Sequence, residues 1–489
     1  MKHPDPRTPV LVGIGVAQRR EEDWTRALEP LDLMTEAALA AGRDCGQPRL
    51  LAHAELVAVP RGRWTYRNPG SAIARAIGAD GARSLLSTVG VLQHTLIADA
   101  CTRIATGAIG CALVVGGDAG YRLLRAKIAG VDAPETQQRD EPDEYMAPAA
   151  ELRHPAELAA GLTMPVGLYA LLENAARARA GLSLDAHRAT LAQRLERFSL
   201  IAAGNPHAWT RRPRSAAELG TASDRNAMQA FPYTKAHCSS WNVDQAAALL
   251  LCSSRLADEL GIPADRRVYP LAAAESNTMV PVVMRADLTE CVGAKIVGDA
   301  LLEATGRTLD DIDLVELYSC FPIAVESYAR AIGLPLDRDL TITGGMNFAG
   351  GPYNNYFLQA TARAAELIRA GEGRNALLSC VSGIITKQGF AFWAREPGDG
   401  PFVNLDLSAE VAARQGAVEV VETYSGEGRV VSSTVLYSPN GRPRAIALIE
   451  TPSGQRAIAT SEDDRLANSF QQEEWVGRQV RIADGEIAA

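Results

Sequence analysis

Short, unbroken apolar runs alternate with stretches of helical period over residues 8–117, and the same pattern returns beyond residue 295. The runs at 8–16, 55–59, 84–89 and 111–115 predict buried strands, the last closed by Gly116-Gly117. Residues 30–41, 71–77 and 95–106 predict helices; in the last of these Leu96, Ile97, Ala100 and Ile104 share one side. Strands alternating with helices imply a mainly parallel sheet. In the second block a strand at 340–343 is expected to end at Gly344-Gly345. An Asn- and Gly-rich loop follows, then a helix at 359–370 stopped by Gly371, and a strand at 376–379 running into Cys380 and Gly383. The two strand ends and the helix start are expected at one sheet edge, where open α/β sheets bind ligands. Glycine there lets a ligand approach backbone N–H groups.

The return of the pattern has a fixed offset. Gly42-Arg43 recurs as Gly306-Arg307 and Gly107 as Gly371, each 264 positions on, which predicts two related halves about a pseudo-twofold axis. Between them, the acidic, proline-bearing stretch 132–145 reads as a solvated loop and 164–203 as two helices broken near Gly181. From about residue 415 the pattern becomes β: strands near 418–424, 430–437 and 445–450, turns at Pro439-Asn440-Gly441 and Pro452-Ser453-Gly454, a helix near 463–474 and a last strand near Val480. The expected units are 1–117 with 239–261, a loop or lid unit at 118–238, a second half at 262–405, and an OB-like β-barrel at 406–489.

Composition narrows the function classes. The 489 residues are 47% hydrophobic and 22% charged, with a net charge of −9 and no basic stripe, so nucleic acid is not expected as a partner. No apolar run reaches membrane-span length. Eight cysteines occur singly with no CxxC pair, which argues against a structural zinc site and for a reduced, cytoplasmic setting. All seven histidines lie at or before residue 237.

Five segments carry a resemblance to the thiolase superfamily: STVGVLQHTLIADACTRIATG from Ser87, SSWNVDQAAALLLCS from Ser239, LVELYSCFP from Leu314, TGGMNFAGGPYNNY from Thr343 and SCVSG from Ser379. Together they are similar to the superfamily's nucleophile loop, its coenzyme A-contacting Ser stretch, its NEAF motif, its GHP loop and its second-cysteine loop. The extra C-terminal unit further resembles the type 1 thiolase-like proteins. The resemblance implies a duplicated five-layer αβαβα fold with a helical loop domain and a C-terminal barrel, a homodimer, a role in lipid metabolism, and a coenzyme A thioester as substrate with no covalently bound cofactor.

Thiolase chemistry needs a nucleophilic thiolate, a base at the α carbon and two oxyanion holes. Aligned on the motifs, Gly90 stands at the family's nucleophilic Cys, Gly351 at the His of GHP and Tyr318 at the Asn of NEAF; Cys380 alone has a counterpart, the second Cys. The departure implies that a cysteine-acylated mechanism is lost while the cradle stays. Gly90 and Gly383 are expected to offer backbone N–H groups to a thioester oxygen, with Gly351, Tyr353 and Asn354 along the substrate wall. Ser240 reads equally as a pantetheine contact or a turn residue, Arg211, Arg212 and Arg214 as phosphate partners or a solvated loop, and Lys387 as a surface or phosphate-facing lysine. His94 and Cys101 read as a satisfied or surface His and a core Cys. The preferred expectation is an enzyme, an acyltransferase or a C–C bond-forming or -cleaving one, with Tyr318 and Cys380 as acid and base. The alternative is a non-catalytic acyl-CoA-binding or scaffold protein.

Overall fold

The computed structural model describes residues 4–438 and 441–487. Two mixed sheets face each other across a pair of buried helices. The first sheet sets strand Pro9–Gln18 beside Asp244–Ser253, Cys111–Ala119, Leu56–Pro60, Arg83–Ser87 and the edge strand Glu144–Met146. The second orders Leu314–Glu316, Asn375–Ser382, Lys387–Ala394, Tyr269–Ser276 and Val403–Asp406. Helices Gln93–Thr106 and Tyr356–Ala370 each touch strands of both sheets and form the middle layer. Helices Pro30–Asp44 and Pro69–Ala76 cover the outer face of the first sheet, and Val292–Thr305 lies on the second and against Pro322–Ile332. The architecture is the five-layer αβαβα arrangement expected from the resemblance.

The two middle helices are the clearest trace of the duplication. Both end on a left-handed glycine, Gly107 at φ 78° and Gly371 at φ 79°, a conformation in which a Cβ is strained. Their N-termini meet: the Gln93 side-chain oxygen accepts the Phe357 N–H at 2.7 Å. The Gly42–Gly306 correspondence fails. Gly306 is a left-handed helix cap, but Gly42 lies inside the Pro30–Asp44 helix, where a Cβ would meet Leu51 Cδ1 at 2.4 Å. Gly116 and Gly117 also lie within their strand rather than closing it, with side chains of Asn355 and Ala246 packed on them.

Two expected strands are not formed. At 418–424 only an isolated bridge from Val420 to Arg456 joins the barrel. At 340–343 no strand forms: the chain bends at Ile342 and Thr343, whose N–H groups go to a buried carboxylate, as described below. Residues 132–143 are a largely exposed loop, and the chain then pairs at Glu144–Met146 as an edge strand.

In the C-terminal region Gly426–Leu436, Arg444–Glu450, Arg456–Ser461, Glu486–Ile487 and Gln479–Ala483 pair in turn, and the first also pairs with the last, closing a five-stranded barrel. Arg456–Ser461 was not expected as a strand; it lies just past the Pro452-Ser453-Gly454 turn. Of the other expected turn, Pro439 and Asn440 lie outside the described residues. The helical segment before residue 238 joins the barrel through Ala230, which pairs with Leu436.

His237 in that segment is buried, and burial lowers its pKa to about 4. The folded state therefore refuses a proton that the unfolded chain accepts below about pH 6.5. Stability is fully present above that value and falls as the pH drops toward 4, by up to about 3 kcal/mol. Urea titrations at pH 7.5 and pH 5 should show this loss, and His237→Gln should shrink the difference between the two.

Candidate active site

Gly90, Tyr318, Asn354 and Cys380 gather at the start of the Gln93–Thr106 helix, and side chains of the protein itself pack into the space among them. Gly90 has φ 104°, and a Cβ built on it would lie 2.8 Å from Pro148 Cγ. Pro148 is brought there by the edge strand Glu144–Met146, with Thr88 N–H bonded to Met146 O at 2.9 Å. On the other side the buried Lys387 ammonium donates to the Gly90 carbonyl. Lys387 is thus not a surface lysine; burial lowers its pKa and the nearby Glu275 opposes that shift.

Cys380 is fully buried. The backbone N–H groups of His94 and Gln93 face its sulfur and favour the thiolate, yet burial outweighs them and pushes the thiol up to about 12. At neutral pH it is protonated. Tyr318 is buried beside it, which raises its pKa well above the ordinary value, and its hydroxyl accepts from Gln93 Nε2 at 3.3 Å. The same Gln93 amide donates to Asn354 Oδ1 at 3.3 Å, so one glutamine joins Tyr318, Asn354 and the Phe357 N–H. His94 is buried with Nδ1 3.1 Å from Glu275 Oε2 but not aligned for a hydrogen bond, and Thr95 and Asn277 donate to that carboxylate. Despite its burial, Glu275 has a lowered pKa because these contacts overcome desolvation.

The Gly351 backbone is zipped to Ser240: Gly351 N–H donates to Ser240 O and Ser240 N–H to Met346 O, both at 2.9 Å. A Cβ on Gly351 would lie 3.0 Å from Met346 Cε, so the thioether occupies the space a side chain at 351 would enter. Tyr353 sits apart from this centre. It is exposed, at φ 45°, with Arg63 over its ring at 5.8 Å. Gly383, at φ 61°, packs on Met279 and Thr386 and starts a left-handed turn continued by Ile384 and Ile385.

Glu316 was missed in the sequence, although it stands in the LVELYSCFP segment. Its buried carboxylate accepts from five donors: Ile342 and Thr343 N–H at 2.8 and 3.0 Å, the Thr341 and Thr343 hydroxyls at 2.9 and 3.3 Å, and the Tyr356 hydroxyl at 2.5 Å. The Gly344 and Gly345 N–H groups then bond Thr341 Oγ1 at 3.0 Å. Glu316 and Thr341 together thus do for the N–H groups of 342–345 what a neighbouring strand does elsewhere.

An open cleft of about 460 Å³ lies on the outer side of the Ser239-Ser240 segment. Trp209, Trp241 and Tyr121 line it, with Arg225 and Lys235 at its border. Neither cation has an ion-pair partner among the described residues. Of the arginine cluster only Arg214 lines the cleft; Glu218 binds both Arg214 and Arg212, and Arg211 reaches Ala203 O at 3.4 Å. The inner wall backs onto the buried centre, since Ser239 Oγ donates to Cys320 O at 3.0 Å and lies 3.9 Å from Met346 Sδ. Among the described residues no group of three His, Cys, Asp or Glu side chains is placed to hold a metal, and no helix is long and apolar enough to cross a membrane.

Residues 406–486 match the thiolase-like protein type 1 additional C-terminal domain. At the level of fold, the chain resembles an Ltp2-ChsH2(DUF35) aldolase (19% identity, 80% of this chain and 99% of that one, TM-score 0.59). It also resembles an acetyl-CoA acetyltransferase from Syntrophomonas wolfei (17%, 80% and 100%, TM-score 0.58). Over nearly its whole length it is 30% identical to a monomeric SCP2-thiolase-like protein type 1 from Mycobacterium smegmatis, covering 99% of this chain and 98% of that one at a TM-score of 0.84. The chain therefore belongs to the SCP2-thiolase-like protein type 1 family, with a thiolase fold and an additional C-terminal domain.

Proposed function

We propose that this protein binds acyl-CoA in the cleft beside Ser240 and forms no cysteine-bound acyl intermediate. The cleft carries the reading. Its aromatic walls suit an adenine ring, Arg225 and Lys235 suit the nucleotide phosphates, and Ser240 stands where the pantetheine arm would pass. Beyond Ser239, Met346, Pro148 and Lys387 occupy the space that acyl transfer needs. Calorimetry with coenzyme A and hexanoyl-CoA tests this. Both should bind, and Arg225→Ala with Lys235→Ala should weaken them about tenfold. Absence of heat with either ligand rejects the proposal.

A second reading is an enzyme in which Tyr318 and Cys380 serve as acid and base on the thioester. It is favoured by one observation, the contact of both groups with the N-terminus of the Gln93–Thr106 helix through Gln93. It requires turnover that Tyr318→Phe and Cys380→Ala each abolish. Equal turnover in either variant removes these roles.

A further inference from the structure

Two cavities that share no lining residue with the Ser240 cleft adjoin at the start of the Val292–Thr305 helix. A chamber of about 120 Å³ and a groove of about 590 Å³ share Glu290, Cys291, Val292, Ser327 and Arg414 as walls. The chamber lies at the junction of the core with the additional C-terminal domain: Arg414, Gln415 and Gly416 form one side, and Ala286 N–H bonds Gly416 O at 3.3 Å.

Two buried side chains of this chamber are incompletely paired. Arg285 is 6% exposed and has no carboxylate within ion-pair distance among the described residues. Its Nε donates to Val280 O at 3.2 Å and its Nη2 to Ile384 O; its Nη1 has no partner among the described residues. The buried Glu157 carboxylate acts on this guanidinium only from beyond ion-pair distance, so its charge is left partly unmatched, and an anion in the chamber would relieve that cost. Gln388 is 1% exposed; its Nε2 donates to Ile385 O at 2.7 Å, but its amide oxygen accepts nothing among the described residues. That oxygen lies 2.2 Å from where a Gly293 Cβ would stand, at the first turn of the helix. The helix N-terminus adds free N–H groups and partial positive charge, and its N-cap Cys291 makes no side-chain cap bond. Arg414, exposed at the mouth and without a partner among the described residues, supplies a second cation.

Two acids also border the chamber. Asp287 is already bonded by the Thr289 N–H and hydroxyl, both at 2.6 Å, and its other oxygen is 3.5 Å from Arg179. Glu290 is exposed at the rim. The chamber thus offers cationic and N–H donors together with one unused acceptor. A phosphate that retains a proton satisfies both, with its oxyanions on Arg285 and the helix N-terminus and its P–OH on the Gln388 oxygen. The groove beyond, walled in part by Ile296, Ala300 and Ala331, has room for the organic part of an ester.

We propose that the chamber bounded by Arg285, Gln388 and the start of the Val292–Thr305 helix is a phosphate site, and that the adjoining groove extends it to phosphomonoesters. The site is separate from the Ser240 cleft and stands whether or not that cleft binds coenzyme A. Calorimetry of the full chain with sodium phosphate and with glycerol 3-phosphate, against sodium chloride at equal ionic strength, is the test. Tighter binding of glycerol 3-phosphate assigns an ester; equal or weaker binding assigns free phosphate. Made on the Arg225→Ala, Lys235→Ala background, which removes the cations of the other cleft, Arg285→Gln should weaken phosphate about tenfold or more. A second readout needs no variant: Cys291 is half-buried on the chamber wall, so phosphate should slow its alkylation about threefold or more relative to sodium chloride at equal ionic strength. If Arg285→Gln does not fold, the Cys291 result decides. Unaltered affinity in a folded Arg285→Gln, or no heat and no protection of Cys291 in the unaltered chain, overturns the proposal.

Discussion

Glu316→Ala will lower the unfolding free energy by about 4 kcal/mol or more, measured by urea denaturation at pH 7.5. The carboxylate is buried and is the common acceptor for Ile342 and Thr343 N–H, two threonine hydroxyls and the Tyr356 hydroxyl. Truncation leaves these donors in an apolar interior, and each unsatisfied buried group costs about 1–3 kcal/mol, not fully additively. Glu316→Gln keeps the shape but turns one end into a donor that faces other donors, so it should lose a large share of the same energy. Since the segment leads directly into Gly344-Gly345 and the loop zipped to Ser240, either variant should also weaken binding in the cleft. A loss below about 1 kcal/mol for both would mean that water replaces the carboxylate, and the segment would not depend on it.

Gly90→Cys will put back the residue type of the thiolase nucleophile without putting back its chemistry. The backbone at 90 has φ 104°, where a side chain costs about 1–2 kcal/mol. The new Cβ meets Pro148 at 2.8 Å, and overpacking of this kind costs about 1–3 kcal/mol. The expected loss is about 3 kcal/mol in denaturation, with no acyl adduct after exposure to acetyl-CoA. Adding Gly351→His should not rescue it, because Met346 already fills that side. Acylation of the Gly90→Cys variant would show that the pocket is intact and lacks only its sulfur.

What could be read in the sequence was local. The middle helices, their glycine stops and the 264-residue offset between Gly107 and Gly371 followed from period and capping, and the structure adds the Gln93–Phe357 contact at the same spacing. The same reasoning misplaced Gly42, because a glycine that ends a helix and one that admits Leu51 against a helix are the same letter. Apolar and β-branched residues at 340–343 favour extension, but the chain bends at Ile342 and Thr343 to bring their N–H groups onto the Glu316 side chain instead of a neighbouring backbone. An acid inside an apolar motif was the available signal. The filling of the centre was beyond reach. Pro148 arrives over Gly90 from the end of an acidic loop, and Lys387 is buried by a carbonyl across the molecule. Nothing near either residue in the sequence marks these distant contacts.

On the function proposed above, this thiolase frame would bind a thioester in the Ser240 cleft, while its interior beside Gly90 is packed with its own side chains. Intact-protein mass spectrometry after incubation with excess hexanoyl-CoA, run beside the calorimetric titration of the same sample, addresses both halves at once. The predicted result is saturable binding with an unchanged protein mass and no release of free coenzyme A thiol. An added hexanoyl mass on any cysteine, Cys380 above all, would contradict it.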